Sequence, residues 1–135
     1  MADAREKLGE HAHDVRVLGR VNDEDLVRLY CGASVYAMPS MDEGFGIPLL
    51  EAMACGTSVV ASHASAIPEV AGDAALLCDP TDPAQFAEAI CSLLEDDNLR
   101  EDMVQRGLER ASQYTYENSA KLLLDVFSSV VENRK

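Results

Sequence analysis

Four short segments rich in apolar residues limit what this chain can fold into. They are residues 15–18, 34–38, 58–61 and 75–78, and each contains mainly branched or small side chains. Such segments are typical of strands that are buried on both faces of a parallel sheet. Helical patterns separate the first three segments. The sequence therefore predicts an α/β fold in which a parallel sheet of about four strands is flanked by helices.

Start and stop signals define the predicted helices. The first two helices should cover residues 23–31 and 47–55, and the second has Pro48 in its first turn and Gly56 just past its end. The last third of the chain contains three capping residues, which predict a helical C-terminal extension with helices that begin near Asp82, Asn98 and Thr115.

The helix after Thr115 carries apolar residues at helical spacing, which we call the C-terminal stripe. We expect these side chains to belong to the core, because an apolar stripe on a helix usually faces the interior. The stripe consists of Leu122, Leu123, Val126, Phe127, Val130 and Val131.

The charge of the chain restricts its partners. Eleven Lys and Arg against 24 Asp and Glu give a formal net charge of -13, which repels nucleic acid and an anionic membrane surface. A phosphorylated ligand must therefore be held by local dipoles or by a few placed cations. The chain has no apolar run of membrane-spanning length and its N-terminus is polar, so we expect one soluble, unprocessed, cytoplasmic domain.

The cysteines and histidines do not predict a metal site. Cys31, Cys55, Cys78 and Cys91 are widely spaced, so we expect buried thiols in a reducing cytoplasm. His11 and His13 would point away from each other on a helix, and we expect both to be solvated. We expect His63, after the third apolar segment, to be a loop residue. No metal and no cofactor is predicted.

A glycine-rich turn leads from the second apolar segment into the helix at residues 47–55. Gly44 and Gly46 remove side chains at the point where the backbone would approach a ligand. The unpaired N–H groups of the first helical turn carry a partial positive charge, so this turn can bind an anion without a basic residue.

Two carboxylates flank this turn, and the spacing leaves two interpretations open. Glu43 precedes the helix and Glu51 lies about one turn into it. Ionised carboxylates accept hydrogen bonds from adjacent sugar hydroxyls, which would suit a ribose or a hexose. Alternatively, both are solvated acids that the helix dipole favours near an N-terminus.

Residues 39–56 closely resemble the signature of the glycogen-synthase-like group of retaining glycosyltransferases with the GT-B fold. The signature is Pro-Ser-x-x-Glu-Gly-Phe-Gly-x-Pro-x-x-Glu-Ala-Met-Ala-x-Gly, and the similarity continues on both sides, from about residue 14 to residue 131. It implies that residues 1–135 form part of a Rossmann-like, nucleotide-sugar-binding domain, an incomplete GT-B C-terminal domain. The implied activity is transfer of a sugar from a nucleoside-diphosphate sugar with retention at the anomeric carbon.

The resemblance also implies a role for each matched residue. Glu43 would face the donor sugar as the catalytic residue, in an electrostatic and orienting role, and Glu51 would accept the ribose hydroxyls. Other residues would contact the donor through their backbone: Gly19, Arg20 and Val21 along the base, and Gly44, Phe45, Gly46 and Ile47 at the sugar and the diphosphate.

The sequence also departs from the pattern of that group. Ser58 stands where proline is usual and Ala66 where glycine is frequent. The upstream Arg and Lys that neutralise the diphosphate, and the N-terminal domain that binds the acceptor, are not in this sequence. We therefore expect no turnover by the isolated chain, and either a homo-oligomer or a missing N-terminal domain. A non-catalytic binding module and an inactive fragment remain alternatives, and the acceptor is unknown.

Overall fold

The computed structural model describes residues 9–132. Residues 1–8, most of the polar N-terminal segment, lie outside the described residues, as do residues 133–135. A 3-10 turn at Gly9–Asp14 precedes the regular elements. In chain order these are α1 (Asp23–Gly32), β1 (Val35–Met38), α2 (Ile47–Ala54), β2 (Ser58–Ser62), α3 (Ile67–Ala71), β3 (Leu76–Cys78), α4 (Pro83–Glu95), α5 (Asp97–Gln113) and α6 (Tyr116–Glu132).

The three strands form one parallel sheet in the order β1-β2-β3. Val35 of β1 aligns with Ser58 of β2, and Val60 of β2 aligns with Leu76 of β3. One helix connects each strand to the next, as parallel neighbours require. The predicted α/β fold with a parallel sheet is confirmed, and the part of the chain that the structure describes has three strands rather than about four.

The central strand β2 is buried on both faces. Val59 and Ala61 belong to a core cluster with Leu49 and Met53 of α2, whereas Val60 belongs to a second cluster with residues of α4 and α5. Because neighbouring strand residues point to opposite faces, the two clusters lie on the two sides of the sheet. The sheet is therefore the middle of three layers.

Helix α5 packs closely on α2 at a glycine. A Cβ atom placed on Gly107 would lie 3.2 Å from Met53 Cγ and 3.4 Å from Met53 Cβ. The side chain of Asp96 caps this helix and accepts a hydrogen bond from the Leu99 N–H at 3.0 Å. The cap is thus Asp96, two residues before the predicted cap Asn98, and the helix begins at Asp97.

The predicted strand at residues 15–18 is wrong. This segment is irregular in the structure and pairs with no strand among the described residues. Val15, Val17 and Leu18 are 42%, 53% and 55% exposed. A branched apolar run forms a strand only where a neighbouring strand accepts its hydrogen bonds and a layer covers its side chains. A strand at residues 15–18 would have offered an unpaired sheet edge to a second copy of the chain, and the structure forms no such edge at this segment.

The expectation that the C-terminal stripe is core is also wrong. Its six side chains are between 49% and 67% exposed. The capping prediction for this helix is confirmed, because Thr115 Oγ1 accepts a hydrogen bond from the Asn118 N–H at 3.1 Å. Helix α6 extends beyond the elements that pack on the sheet, so the stripe has no layer to cover it. Neither α6 nor any other helix within residues 9–132 is long and apolar enough to cross a membrane.

The cysteine prediction holds for one thiol of four. Cys78 is buried and Cys55 is partly exposed, whereas Cys31 and Cys91 are exposed. Burial in the apolar interior raises the pKa of Cys78 and of Cys55. Cys31 and Cys91 lie on helix faces that no layer covers, and spacing along the sequence contains no information about that.

Candidate functional site

The candidate site lies at the carboxyl edge of the sheet, where two loops meet. Residues 39–46 lead from the end of β1 into α2, and residues 63–66 lead from the end of β2 into α3. Because β1 and β2 are parallel neighbours, both loops leave the sheet on the same side. This edge is where open α/β sheets bind their ligands.

Gly46 determines how the chain enters α2. It is the N-cap of this helix with φ 88° and ψ 41°, in the left-handed region that glycine alone adopts freely. No side chain caps the helix, and Pro48 occupies the first turn. A Cβ atom on Gly46 would lie 3.5 Å from Met38 Cε. The first-turn N–H groups are therefore not occupied by a capping side chain, and they carry the positive end of the helix dipole.

Three serines fix the loop that precedes this helix. Ser40 Oγ donates to Glu43 Oε1 at 2.8 Å, and Ser62 Oγ, at the end of β2, donates to the Ser40 carbonyl. Ser65 Oγ lies 2.8 Å from both Asp42 Oδ1 and the Glu43 carbonyl. Glu43 is thereby held through its side chain and its backbone.

The sequence interpretation did not identify these serines as part of the site. Ser62 and Ser65 lie 22 residues from the groups they bond, Ser40 and Glu43. Contacts over that separation depend on the pairing of β1 with β2. A serine at or within two residues of the end of each of two neighbouring strands was the available signal, since hydroxyls often bond loop backbone.

Glu51 is held by a tyrosine of α1. The Tyr30 hydroxyl donates to Glu51 Oε2 at 3.3 Å, and its ring meets the Tyr36 ring edge-on with centroids 5.4 Å apart. Burial raises the pKa of Tyr30 well above its usual range, and the neighbouring Tyr36 and Glu51 raise it further. Tyr30 therefore stays protonated and serves as a donor to the Glu51 carboxylate.

Tyr36 connects the two carboxylates electrostatically. Burial raises its pKa, a hydrogen bond with Tyr30 lowers it, and the negative charges of Glu43 and Glu51 raise it. Both glutamates thus act on one tyrosine, although eight positions separate them in the sequence. The structure brings Glu43, the glycine turn and Glu51 together around the start of α2.

An open, mostly apolar groove of about 350 Å³ adjoins this end of α2. Phe45, Ile47, Leu50 and Glu51 line one side, and residues from the junction of α5 and α6 line the other. Glu51 is exposed, so its carboxylate is accessible from the groove although Tyr30 binds one of its oxygens.

The other predicted contact residues differ in their exposure. Gly44, Phe45 and Ile47 are exposed and Gly46 is buried, while Glu43 is partly buried. Gly19, Arg20 and Val21 lie on the connection before α1, where Gly19 has φ 68°. Their proposed position along a base, like the other ligand contacts, stays a prediction.

The loop position predicted for His63 is confirmed, whereas His11 and His13 are exposed as predicted but approach one carboxylate instead of pointing away from each other. His63 lies in the loop after β2, where its N–H donates to the Cys78 carbonyl. His11 and His13 each approach the Asp14 carboxylate, at 3.5 and 3.2 Å, and both side chains are more than 70% exposed. Within residues 9–132 no three His, Cys, Asp or Glu side chains converge in a group that could hold a metal ion.

The two departures from the resembling pattern are structural positions. The buried Ser58 donates to the Ser34 carbonyl at 2.9 Å and so ties the start of β2 to the residue before β1. Ala66 is the N-cap of α3 and has ordinary right-handed backbone angles, so glycine is not needed there.

Comparison with known proteins identifies extended similarity. The family model for glycosyl transferases group 1 matches residues 5–110. O-antigen chain mannosyltransferase B of Escherichia coli is 44% identical over 113 residues, which are 84% of this chain and 30% of that protein. D-inositol 3-phosphate glycosyltransferase of Corynebacterium urealyticum is 38% identical over 132 residues, which are 96% of this chain and 31% of that protein. The chain thus spans less than a third of either relative.

Solved structures show the same architecture. Sucrose-phosphate synthase from Thermosynechococcus elongatus matches with a TM-score of 0.79 and 29% identity, over 98% of this chain and 35% of that one. The C-terminal domain of a glycosyl transferase group 1 family protein from Francisella tularensis matches with a TM-score of 0.69 and 27% identity. That match covers 83% of this chain and 60% of the solved domain.

Proposed function

Because this chain belongs to the glycosyl transferases group 1 family, we propose that it forms the donor-binding part of an enzyme that transfers a sugar from a nucleoside-diphosphate sugar. The ligand would lie at the carboxyl edge of the sheet, with its diphosphate at the start of α2.

One observation carries the proposal: the helix start at Gly46, which no side chain caps. A left-handed glycine at the N-cap presents the backbone amides of residues 44–47 without a side chain in front of them. The chain has a net charge of -13, so a diphosphate is bound more favourably by aimed amides than by the general field of the protein. Binding of the diphosphate by these amides needs no divalent metal.

Glu43 and Glu51 would have different roles. Ser40 holds the Glu43 carboxylate beside the glycine turn, which suits a group that orients the donor sugar. The Tyr30 hydroxyl binds one oxygen of the Glu51 carboxylate, and the other carboxylate oxygen remains an acceptor. This arrangement suits the binding of a pair of ribose hydroxyls.

We further propose that transfer retains the anomeric configuration. The acceptor hydroxyl attacks the anomeric carbon on the face from which the diphosphate leaves, and a phosphate oxygen of the leaving group takes the hydroxyl proton. No side-chain nucleophile is needed in this scheme. Glu43 then contributes by stabilising and orienting charge near the reacting sugar.

Calorimetric titration of the whole chain with UDP, GDP and ADP, and with their glucose or mannose conjugates, tests the donor assignment. Glu51→Ala should weaken binding of the bare diphosphate by about 10- to 150-fold, the equivalent of a charge-assisted hydrogen bond of about 1.5–3 kcal/mol. Glu43→Ala should chiefly reduce the preference for the sugar conjugate over the bare diphosphate. Glu69→Ala, which removes an exposed acid in the first turn of α3, is the matched control and should change neither.

Each part of the proposal has its own contrary result. Equal losses in Glu43→Ala and Glu69→Ala would identify Glu43 as an ordinary solvated acid. Loss of binding in EDTA would contradict metal-free binding. If none of these nucleotides binds, the proposal of a donor site is wrong. If a donor is turned over, the coupling constant of the product's anomeric proton distinguishes retention from inversion.

A further inference from the structure

We infer that Tyr114 is a positioning residue for the glycine turn, acting through Phe45 and held in place by Arg110. This inference rests on the proposed function, because the turn that it supports is the proposed diphosphate site. It connects the donor loop to the junction between α5 and α6, which follows the loop by about 70 residues.

The middle of the glycine turn needs support from elsewhere in the chain. The three serines fix residues 40–43, and Gly46 packs beside Met38. Between these points, a Cβ on Gly44 would meet no atom within 4 Å, and Phe45 is 46% exposed. The Phe45 ring meets the Tyr114 ring edge-on, with centroids 5.8 Å apart and an interplanar angle of 76°. This geometry is a favourable one for an aromatic pair.

Tyr114 is itself held in place by Arg110 of α5, which also binds α3. Arg110 Nη2 donates to the Tyr114 hydroxyl at 2.9 Å, and the guanidinium carbon lies 5.2 Å from the ring centroid. The same guanidinium donates to the carbonyls of Glu69 and Val70 in α3, from Nε to Val70 at 2.8 Å. The position of the Tyr114 ring is therefore set by α3 and α5 together.

Gly72 makes room for this arrangement. A Cβ atom there would lie 3.4 Å from both Arg110 Cζ and Arg110 Nε. The guanidinium is thus packed against the end of α3 as well as hydrogen-bonded to it. A rigid support under Phe45 keeps the adjacent amides in one orientation, and preorganised donors bind an anion more tightly than mobile ones.

Four single variants and one double variant of the whole chain test the inference by titration with the nucleoside diphosphate that binds best. Tyr114→Leu removes the aromatic contact and should raise Kd about three- to tenfold, the range expected for loss of an aromatic pair. Tyr114→Phe keeps the ring and should restore most of the affinity. Phe45→Leu should show a similar loss, and Tyr114→Leu should add little to it. The matched control, Phe127→Leu, changes an exposed aromatic residue of α6 that does not line the groove, and it should bind like wild type.

Amide chemical shifts of the unliganded chain give an independent measurement. Tyr114→Leu should move the N–H resonances of Gly44, Phe45 and Gly46, whereas Phe127→Leu should not. If the wild type binds no nucleoside diphosphate, the proposed function fails and the amide shifts alone decide the positioning role. Unmoved amides, additive effects of the Phe45 and Tyr114 changes on Kd, or an equal effect of Phe127→Leu would overturn the inference.

Discussion

Helices α2 and α6 are both rich in apolar residues, yet those of α2 are mostly buried and those of α6 are exposed. In α2, Leu49, Ala52 and Met53 have no exposed surface. In α6, the C-terminal stripe is about half exposed or more, and no described side chain of the helix is buried. The difference lies in their neighbours, because α2 packs against both the sheet and α5, whereas α6 has few contacts with any other element.

This contrast separates two properties that a helical pattern alone does not separate. Periodic apolar residues predict that a segment is a helix, but burial depends on a second surface that the pattern does not identify. The proposed site lies at the start of the buried helix, where packing fixes the backbone. The exposed helix begins at the opposite wall of the adjoining groove.

The largest expected effect is on the core of α2. Leu49→Ala should lower the free energy of unfolding by about 2–5 kcal/mol, because the side chain is fully buried and the space it leaves is only partly refilled. Leu123→Ala, the same change in the stripe of α6, should alter it by less than about 0.5 kcal/mol. Urea unfolding followed by circular dichroism measures both. A loss above about 1.5 kcal/mol in Leu123→Ala would show that the stripe is covered in solution, and would break the contrast.

The next effect concerns the way α2 begins. Gly46→Ala should lower the free energy of unfolding by about 1–2 kcal/mol, because a Cβ is strained at φ 88°. Gly44→Ala is the control, since a Cβ there meets nothing within 4 Å and Gly44 has no positive φ. Chemical denaturation of the two variants in parallel makes the comparison. Equal losses would mean that the turn is constrained along its whole length.

The caps of α5 and α6 extend the comparison to helix ends. Asp96→Ala should lower global stability by about 1 kcal/mol, because α5 is packed on α2 and loss of its cap weakens the core. Thr115→Ala should reduce helix content by circular dichroism without moving the unfolding midpoint, since fraying of an exposed helix is a local opening. A shifted midpoint in Thr115→Ala would indicate that α6 unfolds together with the core.

The smallest effect appears only in alkali. The pKa of Tyr30 is raised in the folded chain, so its contribution to stability is complete below its unfolded pKa of about 10 and is lost as pH rises through the folded value. Between pH 9 and pH 10.5, wild type should lose up to about 0.8 kcal/mol more than Tyr30→Phe. Tyr116→Phe, at an exposed position on α6, should follow wild type. If the stability of wild type and of Tyr30→Phe falls in parallel with pH, the result would contradict the burial of Tyr30 beside Glu51.

Much of the fold could be predicted from the sequence because its signals are local. The strands β1, β2 and β3, and the capping residues Asp82 and Thr115, were identified from composition and neighbouring residues. Helix α3 was not predicted as a helix, since its five residues are too short for a period of 3.6 to appear. The misassigned segment at 15–18 has the composition of a strand but no partner strand within residues 9–132, a condition that no local pattern reveals.

The candidate site likewise contains residues that local sequence identifies and contacts that it does not. Gly46 and Glu43 could be singled out because the glycine turn is continuous in sequence. The contacts that hold them could not: Ser62 and Ser65 come from the neighbouring strand end, Tyr30 from α1, and Tyr114 from the junction before α6. Each of these contacts depends on how separate elements pack, and local sequence patterns do not reveal that packing.

The strand order β1-β2-β3 has a consequence for how the chain acquires its structure. Each strand pairs with the strand made just before it, and a single helix spans each connection. No strand in this sheet waits for a later one to be inserted between existing neighbours. We therefore expect the sheet to grow vectorially during synthesis, from β1 outward, with short loop closures at each step. The serine contacts around Glu43 would form as soon as β2 has docked, before α4 and α5 leave the ribosome.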